Sequence, residues 1–244
     1  MTAIVIGATA AQYYAKLFGV APYSAYGLAA DLVEGSDFAV GADLMGGTAL
    51  TRTGTPTDNG YYAAVSDGNY WKTPFTATTL VNAASSQNGC TLMAVARRAS
   101  GASFHAATSY GGSLGVSAPN VTLELGTATL VRGQIQSNSR IASIANDASR
   151  GSRFACYATV IGPTSIRAFE QHAGGGLQDS AETTFASQTI GGGDIVIGQR
   201  TDVSADTGDI SAILFWKERL TPAQIAVAFD GLDRWLTPLG AGLS

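Results

Sequence analysis

Apolar residues in this chain fall in short runs with period-two alternation, cut at close intervals by turn residues. Between residues 28 and 74, clusters alternate with Gly35-Ser36-Asp37, Gly46-Gly47, Asp58-Asn59-Gly60 and Asp67-Gly68-Asn69. Asn-Gly and Asp-Gly supply the positive φ angles that tight hairpins need. The stretch 90–97 (CTLMAVAR) is apolar on both faces, which predicts an inner strand covered on two sides. Residues 102–108 predict the next strand. Val121, Leu123 and Leu125 alternate with Thr122 and Glu124, which predicts one buried and one wet face. Residues 154–160 and 165–171 flank Gly162-Pro163 as a hairpin would, and 194–198 read as a further strand. In the last strand Ile210, Ala212, Leu214 and Trp216 share one face, with Ile213 and Phe215 on the other. A spacing of about 8 to 15 residues between strands is the rhythm of a sandwich or barrel.

The C-terminus breaks this rhythm. Thr221 stands where a helix cap belongs, Pro222 at the first helical position and Gln224 at the capping-box partner position. Leu220 and Ile225 flank the cap as a hydrophobic staple. Ile225, Phe229, Leu232 and Leu236 follow one helical face, and Pro238 stops the helix. A helix of about 15 residues is marginal alone in water, so its apolar stripe is expected to dock on the sheet, over the strand that precedes it. At the other end, Tyr14, Leu17 and Phe18 lie at helical spacing before Gly19 and Pro22. Residues 1–27 are read as a first strand, a short helix or an assembly arm reaching a neighbour. Residues 28–244 show no composition break and are read as one domain.

The bulk numbers narrow the function. Of 244 residues 13% are charged, and the formal net charge is -4. Average soluble domains carry roughly 25% charged residues. The 14 basic residues are scattered, with Arg97-Arg98 the closest grouping, so no nucleic-acid partner is expected. No run approaches the ~20 apolar residues that cross a bilayer, and no membrane insertion is expected. The apolar N-terminal stretch lacks a preceding Lys or Arg, which reads as a protein made in the cytoplasm without an export signal. The 30 glycines suit many turns. Cys90 and Cys156 lack metal-site spacing and are read either as two buried thiols or as a single bridge.

The stretch from Gly208 to Ile225 resembles the closing segment of the concanavalin A-like lectin/glucanase superfamily, in its laminin-G-like branch. That segment carries Gly-x-Ile-x-x-hydrophobic-x-hydrophobic, a basic residue, then Leu-Thr/Ser-x-x-Glu/Gln-Ile. Here these are Gly208, Ile210, Ile213, Phe215, Arg219, Leu220, Thr221, Gln224 and Ile225. The preceding Ile195-Val196-Ile197-Gly198 resembles the family's penultimate strand. The resemblance implies an all-β, concanavalin A-like jelly-roll sandwich of two antiparallel sheets with a short C-terminal helix. Family members bind glycans, proteins or lipids, or hydrolyse polysaccharides. The Gly/Ala/Ser/Thr-rich style and the unassigned N-terminal segment are also similar to bacteriophage virion proteins.

Catalytic chemistry finds little footing. The glucanase members carry two Glu and an Asp at alternate strand positions. This chain has only Glu34, Glu124, Glu170, Glu182 and Glu218, never so spaced. His105 and His172 lie near no Gly-x-Ser-x-Gly elbow, and His105 reads as a satisfied sheet residue. Asp202, Asp206 and Asp209 precede the last strand and carry the hard oxygens that calcium takes; the same loop reads equally as solvated Asx turns. Tyr61, Tyr62, Tyr70 and Trp71 cluster around the Asp67-Gly68-Asn69 turn, where exposed rings would stack on a sugar and buried ones would edge a core. The expectation is a non-enzymatic, lectin-like binding and assembly module of a virion (tail tip, fibre or head decoration). Its partners would be other virion proteins, copies of itself and a host surface glycan. The alternatives are a ligand-free decoration or cement protein, and a polysaccharide hydrolase.

Overall fold

The structure is a computed structural model. It describes residues 18–26, 45, 48–59, 62–81, 89–99, 103–109, 121–126, 129–135, 140–145, 153–186, 193–198 and 207–237. Among these, sixteen strands and two helices follow in chain order. The first strands are β1 (Ser24–Tyr26), β2 (Thr51–Thr53), β3 (Thr57–Asp58), β4 (Ala63–Val65) and β5 (Tyr70–Thr76), followed by the short helix α1 (Ala77–Val81). Next come β6 (Cys90–Arg98), β7 (Phe104–Thr108), β8 (Val121–Leu125), β9 (Thr129–Ile135) and β10 (Arg140–Ala145). The hairpin β11 (Ala155–Ile161) and β12 (Ser165–Gln171) leads to β13 (Gln178–Asp179), β14 (Thr183–Thr184) and β15 (Asp194–Ile197). The last elements are β16 (Gly208–Trp216) and α2 (Pro222–Leu236).

The strands form two sheets, and every pairing is antiparallel. One sheet runs β13-β12-β11-β6-β16-β4-β3, with β1 beside β16 and β14 beside β12. The other runs β10-β9-β8-β7-β15-β5-β2. Of the readings open for residues 1–27, a first strand is what residues 24–26 form. The Tyr23 N–H donates to the Phe215 carbonyl at 2.7 Å, and the Trp216 indole N–H donates to the Val20 carbonyl at 3.1 Å. Phe18 is buried in the core. Residues 1–17 lie outside the described residues.

Two cores flank the first sheet. Leu92, Ala94, Ala96, Tyr157, Ile213 and Phe215 face the second sheet, meeting Trp71, Phe75, Phe104, Leu123 and Ile195. Met93, Val95, Cys156, Ala158, Leu214 and Trp216 face the other way, under Ile225, Ala228, Phe229 and Leu232 of α2. This is why β6, β11 and β16 are apolar at successive positions: each strand is covered on both sides. The helix lies closest to β11 rather than over the last strand alone, with the Cys156 Sγ 4.0 Å from the Phe229 carbonyl oxygen.

The cap forms as the sequence predicts. The Gln224 N–H donates to Thr221 Oγ1 at 3.3 Å, and the Thr221 N–H donates to Gln224 Oε1 at 2.8 Å. The connection into the helix is anchored by one buried hydroxyl on β6. Thr91 Oγ1 donates to the Glu218 carbonyl at 2.9 Å and accepts from the Leu220 N–H at 3.0 Å. Residues 218–220 are thereby held against the sheet just before the helix starts.

Two expectations are corrected. Thr122 and Glu124 are 1% and 3% exposed, not wet. They pair across the β7–β8 ladder instead. The hydroxyls of Thr122 and Thr108 lie 2.8 Å apart, and Glu124 Oε2 is 3.5 Å from His105 Nε2. Alternation in sequence marks polarity, and polar groups that satisfy each other can be buried. Ile210 does not share a face with Ala212, Leu214 and Trp216. A register shift between Ile210 and Ala212 turns Ile210 toward the second sheet.

Cys90 and Cys156 are free and buried. They face opposite sides of the same sheet, one in each core, so side-chain direction excludes a bridge. Burial pushes both thiols up, with Asp233 and Asp230 adding to the effect at Cys156. Three outcomes follow from this packing. Phe229→Ala is expected to cost about 3–5 kcal/mol in urea unfolding; a loss under 1 kcal/mol would show the helix undocked. Thr91→Val should cost about 1–3 kcal/mol, because it strands a buried N–H and a buried carbonyl; an unchanged midpoint would show that Thr91 anchors nothing. A disulfide reagent at neutral pH should label no thiol in the native protein and two in denaturant; two fast native thiols contradict this.

Candidate functional site

Of the four aromatics around the 67–69 turn, Tyr62, Tyr70 and Trp71 lie among the described residues, and Trp71 is buried. The turn itself is present: Ser66 and Asn69 exchange backbone hydrogen bonds of 3.2 and 2.9 Å, and Gly68 has φ 74°. Alternation along β5 then points Trp71 into the inter-sheet core, where it is 1% exposed and has no face for a sugar. Tyr70 is half-buried on the opposite face of that strand. Tyr62 is half-buried against Phe154, ring centroids 5.6 Å apart, with the Arg97 guanidinium 5.0 Å from its centroid. Tyr61 lies outside the described residues. Of the three calcium candidates, Asp209 alone lies among the described residues. Asp209 sits in β16 and accepts from Arg97 Nε at 2.6 Å, while Asp202 and Asp206 lie outside the described residues. Among the described residues no three His, Cys, Asp or Glu side chains converge as a metal site.

A groove lies instead on the outer face of the first sheet, beside the start of α2. Its volume is about 440 Å³, within the range of roughly 300–1,000 Å³ typical of ligand pockets. The floor is the β11–β12 hairpin. Val160 comes from β11, and Ser165, Arg167 and Phe169 come from alternate positions of β12. Pro163, in the hairpin turn, closes one end. One wall is Leu220, Thr221 and Pro222 at the helix start, and the other is Glu182, between the short edge strands β13 and β14.

Two guanidinium groups reach this groove. Arg167 stacks over Phe169, 5.3 Å from the ring centroid, donates from Nε to the Ser180 carbonyl at 3.3 Å, and pairs with Asp179. Arg219 comes from the connection that Thr91 anchors. It donates to Ser165 Oγ at 3.2 Å and lies 3.5 Å from Glu182 Oε1. The Arg219 and Glu182 side chains are 38% and 46% exposed, so their ion pair is a weak one that a ligand can displace. The site therefore offers the carbons of Pro163 and Pro222 beside charged hydrogen-bonding groups.

The two histidines are placed in core pairs, not at the groove. His105 faces Glu124 as described. His172 Nε2 is 3.6 Å from Glu170 Oε2, a carboxylate with no exposed surface, and the His172 ring stands edge-on to Tyr157 at 6.3 Å. Glu170-x-His172 has the period-two spacing of one strand face, the available sequence signal for this pair. For the groove, the alternation of Ser165, Arg167 and Phe169 is visible as a strand pattern. Nothing local links it to Glu182 or Arg219.

No family model matches the chain, and no curated protein matches it in sequence. Solved structures do. One is the binding domain of botulinum neurotoxin DC in complex with SialylT, with TM-score 0.56 and 10% identity over 78% of this chain and 48% of that one. Another is the receptor-binding domain of botulinum neurotoxin mosaic serotype C/D, with a tetraethylene glycol on its Hcn sub-domain; here TM-score is 0.58 and identity 9%, over 86% and 50%. A third is a GH54 α-L-arabinofuranosidase, with TM-score 0.52 and 12% identity over 78% and 49%. The chain spans about half the length of these structures. At such identities the likeness is one of fold, and it agrees with the layers described above. The chain is an all-β jelly-roll sandwich of two antiparallel sheets, closed by a short C-terminal helix.

Proposed function

We propose that this sandwich is a non-enzymatic, lectin-like binding module and that the groove beside α2 takes a glycan. The observation that carries the reading is the make-up of that groove. A sugar presents C–H faces and a dense ring of hydroxyls. Pro163 and Pro222 supply accessible carbon for the first, while Val160, Phe169 and Leu220 are buried in the lining, and Ser165, Arg167, Glu182 and Arg219 supply donors and acceptors for the second. Few precisely placed polar groups over an apolar lining are what small-molecule recognition uses. The shared fold supports the reading as analogy only: one similar structure concerns a neurotoxin whose cell entry depends upon interaction with two ganglioside molecules. Hydrolysis by the usual mechanism needs two carboxylates facing each other across the sugar. Among the described residues the groove lining presents one, Glu182, held in an ion pair.

In this proposal the module works in a virion, assembled in the host cytoplasm with other virion proteins and with copies of itself. Residues preceding β1 serve assembly, and several weak sites on one particle give firm adhesion without stronger individual contacts. The low surface charge, 13% of residues, supports packing against like surfaces. The reading is tested by screening the purified protein, coupled multivalently, on a glycan array, then titrating the best sugar into ¹⁵N-labelled protein. Binding should shift the amides of Ser165, Arg167, Glu182, Arg219 and Thr221. An array blank at millimolar sugar rejects the glycan reading, and shifts centred on Tyr62 and Tyr70 move the site elsewhere.

A further inference from the structure

We infer that the sugar taken by this groove is an acidic one, with its carboxylate or sulfate met by an Arg219 guanidinium that two glycines hold in place. The inference rests on the groove being the glycan site and goes further by naming the ligand's charge and the residue that selects it. Arg219 packs directly over Gly89 and Gly162, where a Cβ would fall into its side chain. A Cβ at Gly89 would fall 2.6 Å from Arg219 Cγ and 2.3 Å from the Ile161 carbonyl oxygen. A Cβ at Gly162 would fall 2.8 Å from Arg219 Nε and 2.9 Å from Cζ. The base of the same side chain is fixed by Thr91 through the flanking backbone at Glu218 and Leu220. An arginine otherwise loses much rotamer freedom when it orders on a ligand. Here that ordering is done before the ligand arrives.

The guanidinium is held, yet thinly engaged. Its Nε is buried without a hydrogen-bond partner, and its hydrogen bond to Ser165 leaves further N–H donors for a bidentate acceptor. Each guanidinium of the groove already faces a carboxylate, Arg167 facing Asp179 and Arg219 facing Glu182, so an incoming anion must replace one of them. The first turn of α2 contains no acidic residue, so the capping box of Thr221 and Gln224 meets the helix start without a carboxylate. An acidic sugar displaces Glu182 from a weak, half-exposed pair and takes its place.

The test compares wild type with Arg219→Gln and Gly162→Ala. The ligands are trigalacturonate, a sialylated trisaccharide, a sulfated disaccharide, neutral maltotriose and inorganic sulfate, titrated at constant ionic strength and read by ¹⁵N shifts. Gly162→Ala is the informative variant. Its new methyl meets the far end of a flexible side chain, so the guanidinium moves while the hairpin stays. The best acidic sugar should bind wild type about tenfold tighter than maltotriose. Both variants should reduce that preference to within about twofold, and Gly162→Ala should do so with thermal unfolding unchanged. If wild type binds maltotriose as well as every acidic sugar, or if Arg219→Gln keeps the preference, the acidic selection is overturned while the glycan site stands. Inorganic sulfate binding as tightly as the best acidic sugar overturns it in favour of a plain anion site. Binding of no sugar at all overturns both this inference and the reading it rests on.

Discussion

The structure depends on one sheet being dry on both faces. A strand with water on one side alternates apolar and polar residues; β6, β11 and β16 have no wet side, and their sequences are apolar at successive positions. Such strands are stable only while both covers are in place. The second sheet provides one, through Trp71, Phe75, Phe104 and Leu123. The helix α2 provides the other, through Ile225, Phe229 and Leu232. A helix of this length owes its stability to that apolar stripe more than to intrinsic propensity. Helix and sheet therefore stabilise each other.

The groove is a by-product of how that cover is attached. The chain must leave β16, cross the sheet end and start a helix over β11. Thr91 fixes the crossing, the capping box fixes the start, and the side chain between these two constraints is Arg219. The β11–β12 hairpin extends beyond the helix start, and the uncovered part of its outer face becomes the groove floor. Core packing thus sets the position of the rim charges, and Ser165, Arg167 and Phe169 of the groove lining sit on a strand paired to β11. This is the arrangement that holds side chains in register for recognition.

Much of this was legible in the sequence, for definite reasons. The capping box, the staple and the period of Ile225, Phe229 and Leu232 are local signals, and the helix follows them. The doubly apolar run at 90–97 predicts a sheet covered twice, without showing what either cover is. The errors share a cause: pattern shows which residues are polar, not what lies opposite. Glu124 and Thr122 are buried because His105 and Thr108 face them across a ladder. A bulge after Ile210 reverses a face that strict alternation would have kept. Tyr62, Tyr70 and Trp71 are neighbours in sequence, but strand alternation sends Trp71 into the core and Tyr70 to the other face. The groove was invisible because Arg167, Glu182 and Arg219 come from three separate segments, brought together only by sheet order.

Native-state hydrogen exchange tests the dependence of sheet and helix most directly. If the doubly covered sheet and α2 form one unit, the slowest amides of β6, β11 and α2 will exchange with the same free energy, equal to that of global unfolding. If α2 instead exchanges through a separate opening of much lower free energy while β6 and β11 stay protected, the helix is an ornament on a self-sufficient sandwich, and the sheet does not depend on its second cover.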